Sequence, residues 1–185
     1  MSQIIHYNKL TRCFIKALRD QKTQQALSEE LGYVFNVVAR WETNKRQFYW
    51  DEFIKLAQYQ NLKINLFLQE TTQFQYSDKL SSFEVVEVFL KSSETLLLKH
   101  FSKQKLYRLA SGKSKLLFED FLKMLELVYN RSYRFLKFCL NEKHHSKLLP
   151  FYSHIDLASD VFAEDPLCSL LCKVLNFKIY KDIFN

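Results

Sequence analysis

The chain has 185 residues, of which only two are Gly and two Pro, while 48% are hydrophobic and 16% aromatic. Average usage is about 12% Gly plus Pro, so sandwiches, barrels and doubly wound sheets, which need many tight turns, give way to helices joined by short polar links. The 27 basic and 20 acidic residues leave a formal charge of +7, which points towards a polyanionic partner.

In chain order, Leu10, Phe14, Ala17 and Leu18 recur at helical spacing and mark a first helix over about 10–19. Thr23 has the hydroxyl favoured at a helix N-cap, Leu27 and Leu31 supply the stripe of a second helix, and Gly32 can take the left-handed conformation that ends it. A third helix follows at once over about 34–43, with Val38 and Trp41 on one side and Asn36 and Arg40 on another. Asn44 suits its left-handed cap. Helices over about 50–60 and 62–68 complete a group of five, with the closely spaced second and third in the layout of a helix-turn-helix.

The residues that carry this layout are Thr23-Gln24-Gln25-Ala26-Leu27-Ser28-Glu29-Glu30-Leu31-Gly32, then Val38-Ala39-Arg40-Trp41-Glu42-Thr43-Asn44-Lys45-Arg46, then Phe53-Ile54-Lys55-Leu56-Ala57. Together they resemble the Cro and phage-repressor (xenobiotic-response-element) type of helix-turn-helix regulator, over roughly Leu10 to Leu68. The resemblance implies a lambda-repressor-like domain over 1–72 that binds double-stranded DNA. Thr23 and Gln24 would open the second helix, with Gln24 on a phosphate oxygen. The third helix would lie in the major groove, Asn36 pairing with adenine and Arg40 reaching guanine or phosphate. Thr43, Asn44, Lys45 and Arg46 match the loop that grips the backbone. Where the family has a Ser or Thr cap and polar residues, this chain has Tyr33-Val34-Phe35. Tyr33 donating to phosphate and Phe35 touching a thymine methyl is one use of these aromatics; packing against another part of the protein is the other.

Shifting the first unit by 68 residues lays Asn44–Leu56 over Gly112–Met124 with chemical type kept almost throughout. The same shift aligns Leu106 with Val38, Arg108 with Arg40 and Leu109 with Trp41, and puts Ser102 at the cap. A second, helix-turn-helix-like unit is therefore expected over about 83–140, with a basic helix over about 102–111. Its outward residues would be Lys103, Gln104 and Arg108, backed by Lys113 and Lys115, within a stretch from Lys99 to Lys115 that holds no acid. His100 stands where the first unit has Gly32. The expected fold is thus all-α, with a second domain over 73–185 that ends in closing helices at about 155–163 and 167–177.

Other chemistry finds no pattern. Gly32 and Gly112 are too far apart for a dinucleotide fingerprint, a phosphate loop or a nucleophile elbow. Cys13, Cys139, Cys168 and Cys172 lack zinc or redox spacing and read as buried hydrophobes. His144 and His145 read as part of a solvated link. No run approaches the ~20 apolar residues of a membrane span, and residues 1–10 lack a signal-peptide core. The expectation is a cytoplasmic DNA-binding transcriptional regulator, not an enzyme, without metal or cofactor. It would be bipartite within one chain or a homodimer. The alternative is a protein-interaction module that keeps the fold but has lost base reading.

Overall fold

The computed structural model describes residues 5–152 apart from Asp78; the expected segments at about 155–163 and 167–177, with Cys168 and Cys172, lie outside them. The described chain is all-α: α1 (Tyr7–Arg19), α2 (Gln24–Glu30), α3 (Val37–Glu42), α4 (Trp50–Tyr59), α5 (Ile64–Thr72), α6 (Ser82–Leu98), α7 (Lys103–Ala110), α8 (Phe118–Tyr129) and α9 (Ser132–Cys139), then a 3-10 segment Glu142–Lys147. Residues 6–148 pack as one compact unit, and a 3-10 turn, Leu149–Phe151, belongs to another. No helix among the described residues is long and apolar enough to cross a membrane.

Helix ends follow local chemistry. Thr23 Oγ1 accepts from Ala26 N at 3.1 Å and opens α2, and Ser102 Oγ accepts from Lys105 N at 3.2 Å and opens α7. Gly32 ends the α2 turn at φ +75°. Beyond α3 and α7 the chain turns through Asn44 (φ +58°) and Gly112 (φ +68°), the left-handed conformation that Asn and Gly tolerate best. Glu52 reaches back to Tyr49 N at 3.0 Å, which fixes the entry to α4.

The third helix begins later than its expected 34. Asn36 is its cap, Oδ1 accepting from Ala39 N at 2.9 Å, and Val34 and Phe35 remain in the preceding turn. The seventh helix keeps the two residues that α3 lacks, because Ser102 occupies the cap position where the first unit has Val34. His100 needs no left-handed backbone, because the next amide, Phe101 N, continues the helical pattern to Leu97 O at 2.8 Å, whereas Tyr33 N reaches back past Gly32 to Ser28 O at 2.9 Å. Within α6, Ser93 takes an extended backbone (φ −163°) and splits the helix in two.

One core serves both halves, so the boundary expected after residue 72 runs through packed rings. Phe14 stacks on Phe118 at 5.4 Å, Trp50 meets Phe121 at 4.4 Å and Phe53 meets Phe118 at 4.6 Å, all fully buried. Burying each such ring contributes about 1.5–3 kcal/mol. The loops before α4 and α8 join in an isolated antiparallel bridge between Tyr49 and Leu117. Trp50 N donates to Leu116 O at 2.8 Å and Phe118 N donates to Phe48 O at 3.0 Å. Exchanging the two partners by an offset of 68 residues turns each of these bonds into the other, and likewise turns Trp50–Phe121 into Phe118–Phe53.

The link at 141–147 differs from a solvated loop. His144 is buried and its Nε2 lies 2.9 Å from Asp20 Oδ1, while Lys143 pairs with Asp20 Oδ2 at 2.8 Å, so the segment closes over the end of α1. These two side chains hold the Asp20 carboxyl below its ordinary range. Cys139 is buried and its thiol is pushed up by burial, which makes it inert, and Cys13 donates to Lys147 O at 3.4 Å.

Candidate nucleic-acid interface

The angle between α2 and α3 is set by a polar hinge rather than by apolar contact alone. Glu42, at the end of α3, is 4% exposed and accepts from Arg19 Nε at 2.8 Å and from Gln24 Nε2 at 2.5 Å. Ser28 Oγ bonds Gln24 O at 2.7 Å and accepts from Val38 N at 3.1 Å, tying the first turn of α3 to the middle of α2. Val38 and Trp41 fill the groove behind, and Trp41 meets Phe48 at 4.8 Å. The outer side of α3 is left with Arg40 exposed and without an ion pair among the described residues.

Several expected contacts take other partners in this structure. Gln24, half-buried, donates its amide to Glu42. Asn36 spends its side-chain oxygen as the α3 cap, at the position where base pairing was expected. Asn44 accepts from Asn8 Nδ2 at 3.0 Å, Thr43 Oγ1 bonds Ala39 O at 2.7 Å, and Arg46 pairs with Glu52 at 2.7 Å. Thr23 is exposed with its oxygen on the α2 cap. Lys45 is exposed and makes no ion pair among the described residues.

The aromatic turn divides between the two uses left open by the sequence. Tyr33 packs edge-on against Trp41 at 5.7 Å and lies under Lys55 Nζ at 4.5 Å and Arg46 at 6.0 Å. Burial, with the Glu52 charge, raises its hydroxyl pKa, so it stays protonated and able to donate. Val34 and Phe35 are 86% and 69% exposed, so packing within residues 6–148 does not account for them.

On α7, Leu106 and Leu109 are buried while Lys103, Gln104, Tyr107 and Arg108 face solvent. Lys105 turns to Asp120 at 2.8 Å, Lys113 lies over the Tyr107 ring at 5.4 Å, and Lys115 lies over the Tyr49 ring at 5.9 Å. Lys103 and Arg108 make no ion pair among the described residues. Tyr107 and Lys55 escaped the sequence reading. Tyr107 is legible one helical turn beyond Lys103, whereas Lys55 acquires meaning only through the ring it covers. Among the described residues no group of His, Cys, Asp or Glu could hold a metal ion.

Comparison with protein-family models, with curated proteins and with solved structures finds no match.

Proposed function

We propose that the chain is a DNA-binding regulator of the helix-turn-helix kind, carrying two copies of one unit about a local twofold axis, with α3 and α7 as its recognition helices. The observation that carries this reading is the self-complementary Tyr49–Leu117 bridge, which sets the loops after α3 and α7 side by side while each helix offers an exposed arginine with no ion pair among the described residues at the same register, Arg40 and Arg108. Backbone bonds after the two helices agree: Asn44 N to Trp41 O and Gly112 N to Leu109 O, Arg46 N to Arg40 O and Ser114 N to Arg108 O. Two helices set about a twofold axis suit duplex DNA, whose paired half-sites are related in the same way.

The two units would read differently. Unit one offers Phe35 and Val34 to thymine methyls beside Arg40, whereas unit two offers Lys103, Gln104, Tyr107 and Arg108. Arg40→Ala and Arg108→Ala should each weaken binding to a selected duplex by about tenfold, consistent with ~1–3 kcal/mol for a good contact. In a salt titration, a lost phosphate contact also lowers the slope of log K against log salt by about 1. Unchanged affinity in both variants would contradict the reading.

The exposed Val34–Phe35 pair favours a second reading, a protein-interaction module on the same scaffold. Phe35→Ser separates the two. It reduces duplex affinity if the ring meets a groove, and leaves it intact while abolishing a protein complex if the ring meets a partner.

A further inference from the structure

Behind the loop that follows α3 lies a cleft of about 220 Å³, floored by α1 and bounded by the start of α8. Its lining includes Thr11 and Arg12 of α1, Trp41 of α3, Asn44 and Gln47 of the loop, and Glu119 of α8. Three of these carry a buried polar atom without a hydrogen-bond partner among the described residues: Thr11 Oγ1, Arg12 Nε and Trp41 Nε1. Thr11 and Trp41 are 6% and 1% exposed. Trp50, by contrast, donates its indole N–H to Leu80 O at 2.8 Å, as buried tryptophans ordinarily do.

The orphaned groups define what would complete them. An indole N–H and a guanidinium N–H can only donate, and a threonine hydroxyl can do so. A buried donor left unmade is costly, so the complement is an acceptor. Arg12 is half-buried and has no ion pair among the described residues, which makes a negatively charged acceptor the better match. The N-terminus of α8, which no side chain caps, adds partial positive charge from the same side. Glu119 opposes an anion, but burial and the neighbouring Asp120 raise its carboxyl pKa, and Asn8 hydrogen-bonds it. The volume lies below the roughly 300 Å³ at which drug-sized pockets begin, which limits the occupant to a small group.

We propose that this cleft binds a small oxyanion, a carboxylate or a phosphate, through Thr11, Arg12 and Trp41. Asn44 and Gln47 form one wall, so an occupant braces the loop that runs on from α3. That consequence for nucleic-acid binding rests on the proposed function; the site itself does not.

The test uses the full chain labelled with ¹⁵N. The chain has two tryptophans, Trp41 and Trp50, hence two indole N–H resonances, assigned with Trp41→Phe. Sodium acetate, inorganic phosphate and a short DNA duplex are titrated separately at constant ionic strength. The proposal expects the Trp41 resonance to shift saturably while that of Trp50 stays, and Arg12→Gln to weaken the response at least tenfold without loss of helical circular dichroism. A response to acetate or phosphate identifies a free anion. A response to duplex alone, lost in Arg12→Gln, identifies a backbone phosphodiester as the source of the same chemistry. No saturable shift with any of the three, or an equal shift in Arg12→Gln, means that the donors are satisfied by water and overturns the proposal. If duplex binding fails altogether while acetate or phosphate still shifts Trp41, the proposed function falls and the anion site stands.

Discussion

Glu42 is the most consequential polar residue of the first unit, because a buried carboxylate holds α1, α2 and α3 through Arg19 and Gln24. Breaking a buried pair by removing one partner costs several kcal/mol, and Arg19, about one-fifth exposed, can recover part of it from water. Glu42→Ala should therefore lower unfolding free energy by about 2–3 kcal/mol, read as a shift in urea midpoint with unchanged slope. A loss under 0.5 kcal/mol would show that the network is dispensable. Its acid was in plain view in the Arg-Trp-Glu run, but its burial was not, since a glutamate at a helix end ordinarily faces water. The same blindness affected Gln24 and Asn36. Their amides have the right chemistry for DNA, yet Glu42 and the open end of α3 claim them first, and only the folded geometry records that competition. Phe35 shows the converse, because its exposure sets aside packing within residues 6–148 where the sequence leaves two uses level.

At the scale of elements, the helix ends were the most legible feature. Thr23, Gly32, Asn44, Ser102 and Gly112 each act through short-range stereochemistry, and each sits where the local rule puts it. The start of α3 was misplaced because Val34 has no capping oxygen, and the chain waits for Asn36 to supply one. Gly112 allows the local rule to be measured alone, since a Cβ added there meets nothing within 4 Å. Gly112→Ala should thus cost only the left-handed strain, about 1 kcal/mol. The matching Asn44→Gly removes such strain but also the bond from Asn8. A Gly112→Ala protein as stable as the parent by chemical denaturation would mean that the turn has rearranged. The Ser93 break in α6 had no counterpart in the sequence reading, since its neighbours continue a helical pattern on both sides.

At the scale of the molecule, the all-α fold of the described residues followed from the scarcity of Gly and Pro, whereas the sharing of one core did not. Phe14, Phe53, Phe118 and Phe121 read as stripes of separate helices, and nothing in their spacing says that the stripes face each other across residue 72. Because the bridge and these rings join both halves, residues 6–148 should unfold in one step. Tryptophan fluorescence of a Trp50→Phe variant, in which Trp41 reports the first half through Tyr33 and Phe48, and far-ultraviolet circular dichroism, which reports both halves, should give coincident urea transitions. Two separated transitions would contradict the shared core. The same joint arrangement underlies the functional reading, and it is tested most directly by selecting bound duplexes from a random DNA pool. Two units about a twofold axis predict an enriched site with two half-sites of unlike sequence, related by a dyad and spaced by about one helical turn, ~10 base pairs. Failure to enrich any sequence, or enrichment of a single half-site indifferent to Arg108→Ala, would contradict it.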